Sequence, residues 1–200
     1  MDRKLNRRRK KTVSPDSIAA RKAGVVMTLT RRDALLRQLD AAIRMWFLEQ
    51  DPISIHLLLM PAYHVLSDLG KKSGNGPDIH ELVSKSNFST VYDWLRHGSS
   101  DPEDFVDFPP RVNEFLLWGC TISFEKIFQG RSPYMMAFQA YFVLNLVPEK
   151  REFREGAFAF LPDQMTVEEA LALSRIDFFV ELAKHFGAEI RARSSHSETP

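Results

Sequence analysis

Two short stretches of this chain gather side chains able to move a proton or hold an anion. In the first, Asp93 and His97 stand four residues apart, one helical turn, so the carboxylate could orient the imidazole for acid–base work. Arg96 would present its planar fork to a phosphate beside them. Asp93, Arg96 and His97 are therefore the candidate catalytic set. The same residues also read as a plain helix end, at which Arg96 and His97 offset the macrodipole ahead of a Gly98 cap.

The second stretch is Asp51-Pro52-Ile53-Ser54-Ile55-His56, followed two turns later by His64. Two turns of helix separate those imidazoles by roughly 12 Å along the axis, so they cannot ligate one metal ion together. No metal site and no cofactor is expected. His56, Tyr63, His64 and Trp94 form the candidate ligand-binding set, and a small-molecule pocket lined by Trp46, Tyr63, Trp94 and Trp118 is a weaker alternative to plain aromatic core. A polar row at helical spacing, Ser174, Asp177, Glu181 and Lys184, reads as a solvated face.

The elements that must position these residues are helical. Apolar residues recur at a period near 3.6 through most of the chain and strand-like alternation is nearly absent, so an all-α, multi-helix bundle is expected. A first helix, about 31 to 50, opens on the capping-box spacing of Thr30 and Asp33 and buries a stripe from Leu35 to Phe47. Asp51 caps a second, which starts at Pro52, is kinked near Pro61 and stops at Gly70. Gly70 to Pro77 reads as a connector, because no strand precedes it and its glycines lack P-loop spacing.

Short helices are expected over 78–85 and 89–96, then an acidic, proline-bearing surface loop over 99–110. The most apolar helix, 111 to 129, should be central and end at Gly130. Ser132-Pro133 restarts a helix to about Val147, too short and too interrupted to span a membrane. An irregular crossing over 148–165 leads to a last helix, 166 to 186, opened by the spacing of Thr166 and Glu169 and closed by Gly187.

Charge is distributed unevenly. Residues 1 to 22 hold nine Lys or Arg against two Asp, a net of +7, and the whole chain is +1, so the remainder carries −6. Residues 1–27 are expected to be a disordered basic arm, 28–187 a helical domain and 188–200 a disordered tail. Arg7, Arg8, Arg9, Lys10 and Lys11 are the candidate nucleic-acid contacts, since clustered cations release counterions from phosphates. A start at Met27 would remove the arm without touching the core. The single cysteine, Cys120, sits in an apolar helical stretch, which points to a reducing, cytoplasmic setting and to a buried thiol rather than a nucleophile.

The run Leu39-Asp40-Ala41-Ala42-Ile43-Arg44-Met45-Trp46-Phe47, the segment Asp51 to His56, and Leu95-Arg96-His97 ahead of Asp101-Pro102 resemble a group of all-helical bacterial proteins of uncharacterised activity. That resemblance covers about residues 28 to 150 and implies a helical fold without an assigned activity. A more distant likeness is to HEPN-type helical bundles, many of which bind or cut RNA through an Arg followed four to six residues later by a His. Arg191 and His196 have that spacing, whereas Arg96 and His97 are adjacent.

The sequence thus leads to a non-catalytic helical binding or regulatory module that acts on a protein partner or on a second copy of itself. The alternative is a metal-independent RNA-binding or RNA-cleaving protein using Asp93, Arg96 and His97.

Overall fold

The computed structural model describes residues 27–74, 89–98, 101, 103–146, 161–162 and 165–187. The basic arm, the helix expected over 78–85 and the C-terminal tail lie outside the described residues. The chain divides between Ala34 and Leu35 into two units. The first contributes the described segment 27–34, in which Thr30 and Asp33 form the expected reciprocal cap. The Asp33 amide donates to Thr30 Oγ1 at 3.1 Å and the Thr30 amide donates to Asp33 Oδ2 at 3.2 Å.

Among the described residues the fold is all-α, with seven α-helices and no strand. They are α1 (Arg31–Phe47), α2 (Pro52–Ser73), α3 (Thr90–His97), α4 (Val112–Phe128), α5 (Pro133–Tyr141), α6 (Val167–Ala172) and α7 (Arg175–His185). A π-helical turn, Phe142–Leu146, extends α5 directly. No helix among the described residues is long and apolar enough to cross a membrane.

Local chemistry explains most boundaries. Asp51 accepts from the amides of Ile53 and Ser54 at 3.4 and 2.7 Å, with Pro52 at the first position of α2, where a missing N–H costs nothing. Ser132 accepts from the Met135 amide to open α5. Thr166 and Glu169 form a complete capping box on α6.

Four boundaries differ from the sequence expectation, each for a local reason. α1 ends at Phe47 because Glu49 takes a left-handed conformation, φ 52°. α2 runs past a buried Gly70 to Ser73, since Lys71 and Lys72 are good helix formers that suit the negative C-terminal dipole, and Gly74 at φ 67° supplies the left-handed stop. Gln129, not Gly130, is the left-handed cap of α4, at φ 53°. The single last helix is two, because Ser174 accepts from the Asp177 amide at 3.1 Å and starts α7 anew. The residues from Ser174 to Lys184 taken as one polar row are all exposed, but two of them are a cap pair.

The core forms from the stripes that periodicity marks. Leu35, Leu39, Ala42, Ile43, Trp46 and Phe47 of α1 are buried, as are Ile55, Leu59, Ala62 and Leu66 of α2. The most extensive helix pairing is α2 with α4, where Gly119, Cys120 and Ser123 keep the buried face of α4 narrow. α5 packs on α7, through Tyr141 against Phe178 and Tyr134 against Phe179. Phe47 joins the groups, stacked on Phe179 at 4.5 Å and edge-on to Tyr141 at 5.5 Å.

Candidate functional site

Two of the buried polar residues that interrupt the apolar helices, His56 and Asn113, meet each other across α2 and α4. Asn113 lies on the first turn of α4, fully buried; its Nδ2 donates to the Pro52 carbonyl at 2.8 Å and its Oδ1 lies 3.0 Å from His56 Nδ1. An amide nitrogen already donating to a carbonyl leaves Oδ1 as the acceptor, so His56 donates from Nδ1. This His56–Asn113–Pro52 relay ties the start of α2 to the start of α4. Phe108, from the acidic loop, sets its ring against His56 at 5.1 Å, so the loop covers the imidazole as well as connecting two helices.

On the other side of Asn113 opens a cleft of about 250 Å³. Its apolar wall includes Trp46, Pro52, Ile55 and Pro110, and its charged wall is Glu49, Arg111, Glu114 and Arg175. The Arg175 guanidinium carbon lies over the Trp46 ring, 3.4 Å from its centroid, and one terminal nitrogen is 3.7 Å from Glu49 Oε1. Glu114 Oε2 is 3.5 Å from Arg111 Nε. Two buried atoms here make no hydrogen bond, Arg175 Nε and Glu114 Oε2.

Burial pulls the Arg175 guanidinium below its usual range, while the charges of Tyr141, Glu49 and Glu114 act in the opposite sense. Behind it, burial pushes the Tyr141 hydroxyl up; Arg175 opposes that and Glu114 and Glu49 reinforce it. The cleft is thus an electrostatic unit with a balanced pair of guanidiniums and carboxylates, set on an indole face.

The sequence-marked residues are dispersed around this site. Asp93, Arg96 and His97 are exposed at the end of α3. Among the described residues Asp93 and His97 share no hydrogen bond; Arg96 instead folds over Tyr92, 5.2 Å from its ring centroid. Gly98 follows because a Cβ there would collide with the Trp94 carbonyl. Trp94 donates from Nε1 to Asp104 of the acidic loop at 3.3 Å.

His56 and His64 lie in different surroundings. His56 is buried against α4, whereas His64 is exposed, its ring 6.0 Å from Tyr92 and 5.3 Å from that of buried Tyr63. Trp46 alone of the four proposed pocket aromatics lines the cleft; Trp118 stacks on Phe142 at 4.6 Å. Arg7, Arg8, Arg9, Lys10 and Lys11 lie outside the described residues. Among the described residues no three His, Cys, Asp or Glu side chains are grouped so as to hold a metal ion. Cys120 is fully buried and its thiol is pushed up to about 12 by burial.

Sequence reasoning did not single out Glu49, Arg111, Asn113, Glu114 or Arg175. Asn113 carried a signal, a polar residue on the inward face of the most apolar helix. Arg175 carried a fainter one, a cation in the first turn of a helix, where the dipole disfavours it and another interaction must hold it. Compared with known proteins, the chain matches no protein-family model, no curated protein and no solved structure.

Proposed function

We propose that this protein is a non-catalytic helical module that binds a small molecule in the cleft formed by Trp46, Asn113, Glu114 and Arg175. The observation that carries this reading is the convergence on one cleft of a guanidinium stacked on an indole and a carboxylate, each with a buried atom lacking a hydrogen bond. Incomplete hydrogen bonding of buried charged groups costs on the order of 1–3 kcal/mol per group, so a ligand that completes it gains affinity at once. The size of the cleft also selects. At about 250 Å³ it lies below the roughly 300–1,000 Å³ typical of drug-sized ligands. A small metabolite fits, and a dinucleotide or an RNA strand does not.

The test is a ligand-observed NMR screen of small metabolites against the full chain, repeated with Gln50→Trp and Arg175→Met. Gln50 is exposed at the edge of the cleft, so a tryptophan there blocks the mouth without disturbing the core. Binding lost in both variants supports the reading; binding indifferent to both, or no binder in the screen, overturns it.

Self-association is supported by a separate observation. Phe105 is 85% exposed in the acidic loop, and Leu95 and Phe115 are about half exposed. Sedimentation velocity of the full chain and of Phe105→Ser checks this: a dimer that dissociates in the variant is expected, and a monomer at all concentrations refutes it.

A further inference from the structure

The charges of the cleft point to a ligand class. Its wall carries two guanidiniums, Arg111 and Arg175, and two carboxylates, Glu49 and Glu114. A simple anion would gain from the first pair and be repelled by the second; a simple cation would meet the reverse. A molecule with both charges close together gains from both, and adds no net charge to a partly buried place where an unpaired charge is costly.

The two buried atoms without hydrogen bonds have matching polarity. Arg175 Nε is a donor and calls for an acceptor; Glu114 Oε2 is an acceptor and calls for a donor. Arg111, the ion-pair partner of Glu114, has a side chain 74% exposed, so it can swing into solvent at little cost when a ligand donor arrives. Trp46, Ile55, Pro52 and Pro110 offer an apolar surface beside these charges.

We infer that the cleft binds a small zwitterion with an apolar side chain, an aliphatic or aromatic α-amino acid, whose carboxylate meets Arg175 and whose ammonium meets Glu114. This inference rests on the cleft being the binding site. The carboxylate and ammonium of an α-amino acid are separated by a single carbon, and a guanidinium fork holds a carboxylate by two parallel bonds. The side chain then lies along the apolar wall, where added methylenes raise affinity.

The experiment is isothermal titration of the full chain with L-leucine and L-phenylalanine, each compared with its N-acetyl form, which lacks the ammonium, and its amide, which lacks the carboxylate. Both free amino acids are expected to bind at least tenfold more tightly than either blocked form. Glu114→Gln should erase most of the discrimination against the N-acetyl form, and Arg175→Lys, which keeps the charge and loses the fork, should erase most of that against the amide. Circular dichroism melts confirm that both variants fold, and Gln50→Trp, which leaves the charged groups in place, serves as the second blocking variant.

Outcomes separate the two levels of inference. Blocked forms that bind as tightly as the free amino acids, while Gln50→Trp still abolishes binding, overturn the zwitterion and leave the cleft as the site. Binding untouched by all three variants overturns the cleft itself. If neither amino acid binds while another metabolite from the NMR screen does so in the cleft, the zwitterion is again the part that fails.

Discussion

The end of α3 and the cleft at Arg175 contain similar side chains in different circumstances. On α3, Asp93, Tyr92, Arg96 and His97 crowd six residues of sequence, yet Asp93, Arg96 and His97 are exposed and Arg96 turns onto its own helix. At the cleft, Trp46, Glu49, Asn113, Glu114 and Arg175 come from three separated parts of the chain and converge, Glu49 exposed at the rim and the other four partly or fully withdrawn from water. Density of chemical types along a sequence does not make a site. Partial withdrawal from water does, because the same charge–charge contact gains severalfold as the effective dielectric falls.

Perturbing the two regions should therefore give unequal effects, and the interior of α4 sets the extreme. With its thiol pushed up to about 12, Cys120 should react with iodoacetamide at pH 8 at least about a thousandfold more slowly than an ordinary thiol until the chain unfolds, burial adding to the scarcity of thiolate. Alkylation followed by mass spectrometry across a urea series checks this, and rapid labelling of the native protein would contradict it.

Asn113→Leu strips the acceptor from His56 and the donor from the Pro52 carbonyl in a buried place, and should cost about 2–4 kcal/mol in urea unfolding. Arg175→Met keeps contact with Trp46 but loses the cation–π interaction, with an expected loss of about 1–2 kcal/mol in the same assay. The ion pair to exposed Glu49 adds little to that figure. By contrast, His97→Ala and Asp93→Ala should each move stability by no more than about 0.5 kcal/mol, as exposed positions do. A larger effect on α3 than at Arg175 would invert the comparison.

Asp40 offers a sharper test through pH. Burial holds its carboxyl above the ordinary range, against the Ser132 hydrogen bond and the Arg44 charge that lower it. A pKa raised on folding means that the contribution of this group is complete at acid pH and is lost as pH rises through the folded value. Asp40→Asn removes that loss. The variant should match the wild type in acid and be the more stable of the two at neutral pH, read from thermal melts across a pH series; a wild type that gains on the variant as pH rises would contradict the assignment.

Much of the fold was legible because its causes are local. Thr30 with Asp33, Asp51 with Ser54, Ser132 with Met135 and Thr166 with Glu169 act over three residues, so their spacing names helix starts directly. The break at Ser174 was missed although it uses the same chemistry, since the apolar period continues across it from Val167 to Phe178. The site was less legible. Trp46 was weighed as a pocket aromatic, but its partner Arg175 lies more than a hundred residues away, and no spacing rule links them.

The sequence by itself determined the helical class, the helix starts at Thr30, Asp51, Ser132 and Thr166, the inward stripes and the burial of Cys120, because propensity, capping and periodicity are properties of neighbouring residues. Only the tertiary structure decided that His56 turns inward to Asn113 while His64, two turns along the same helix, stays exposed. The tertiary structure also decided that Arg175 lies on Trp46 beside Glu49 and Glu114. Both outcomes depend on how helices distant in sequence pack, and packing sets which polar groups leave water and which partners they then find.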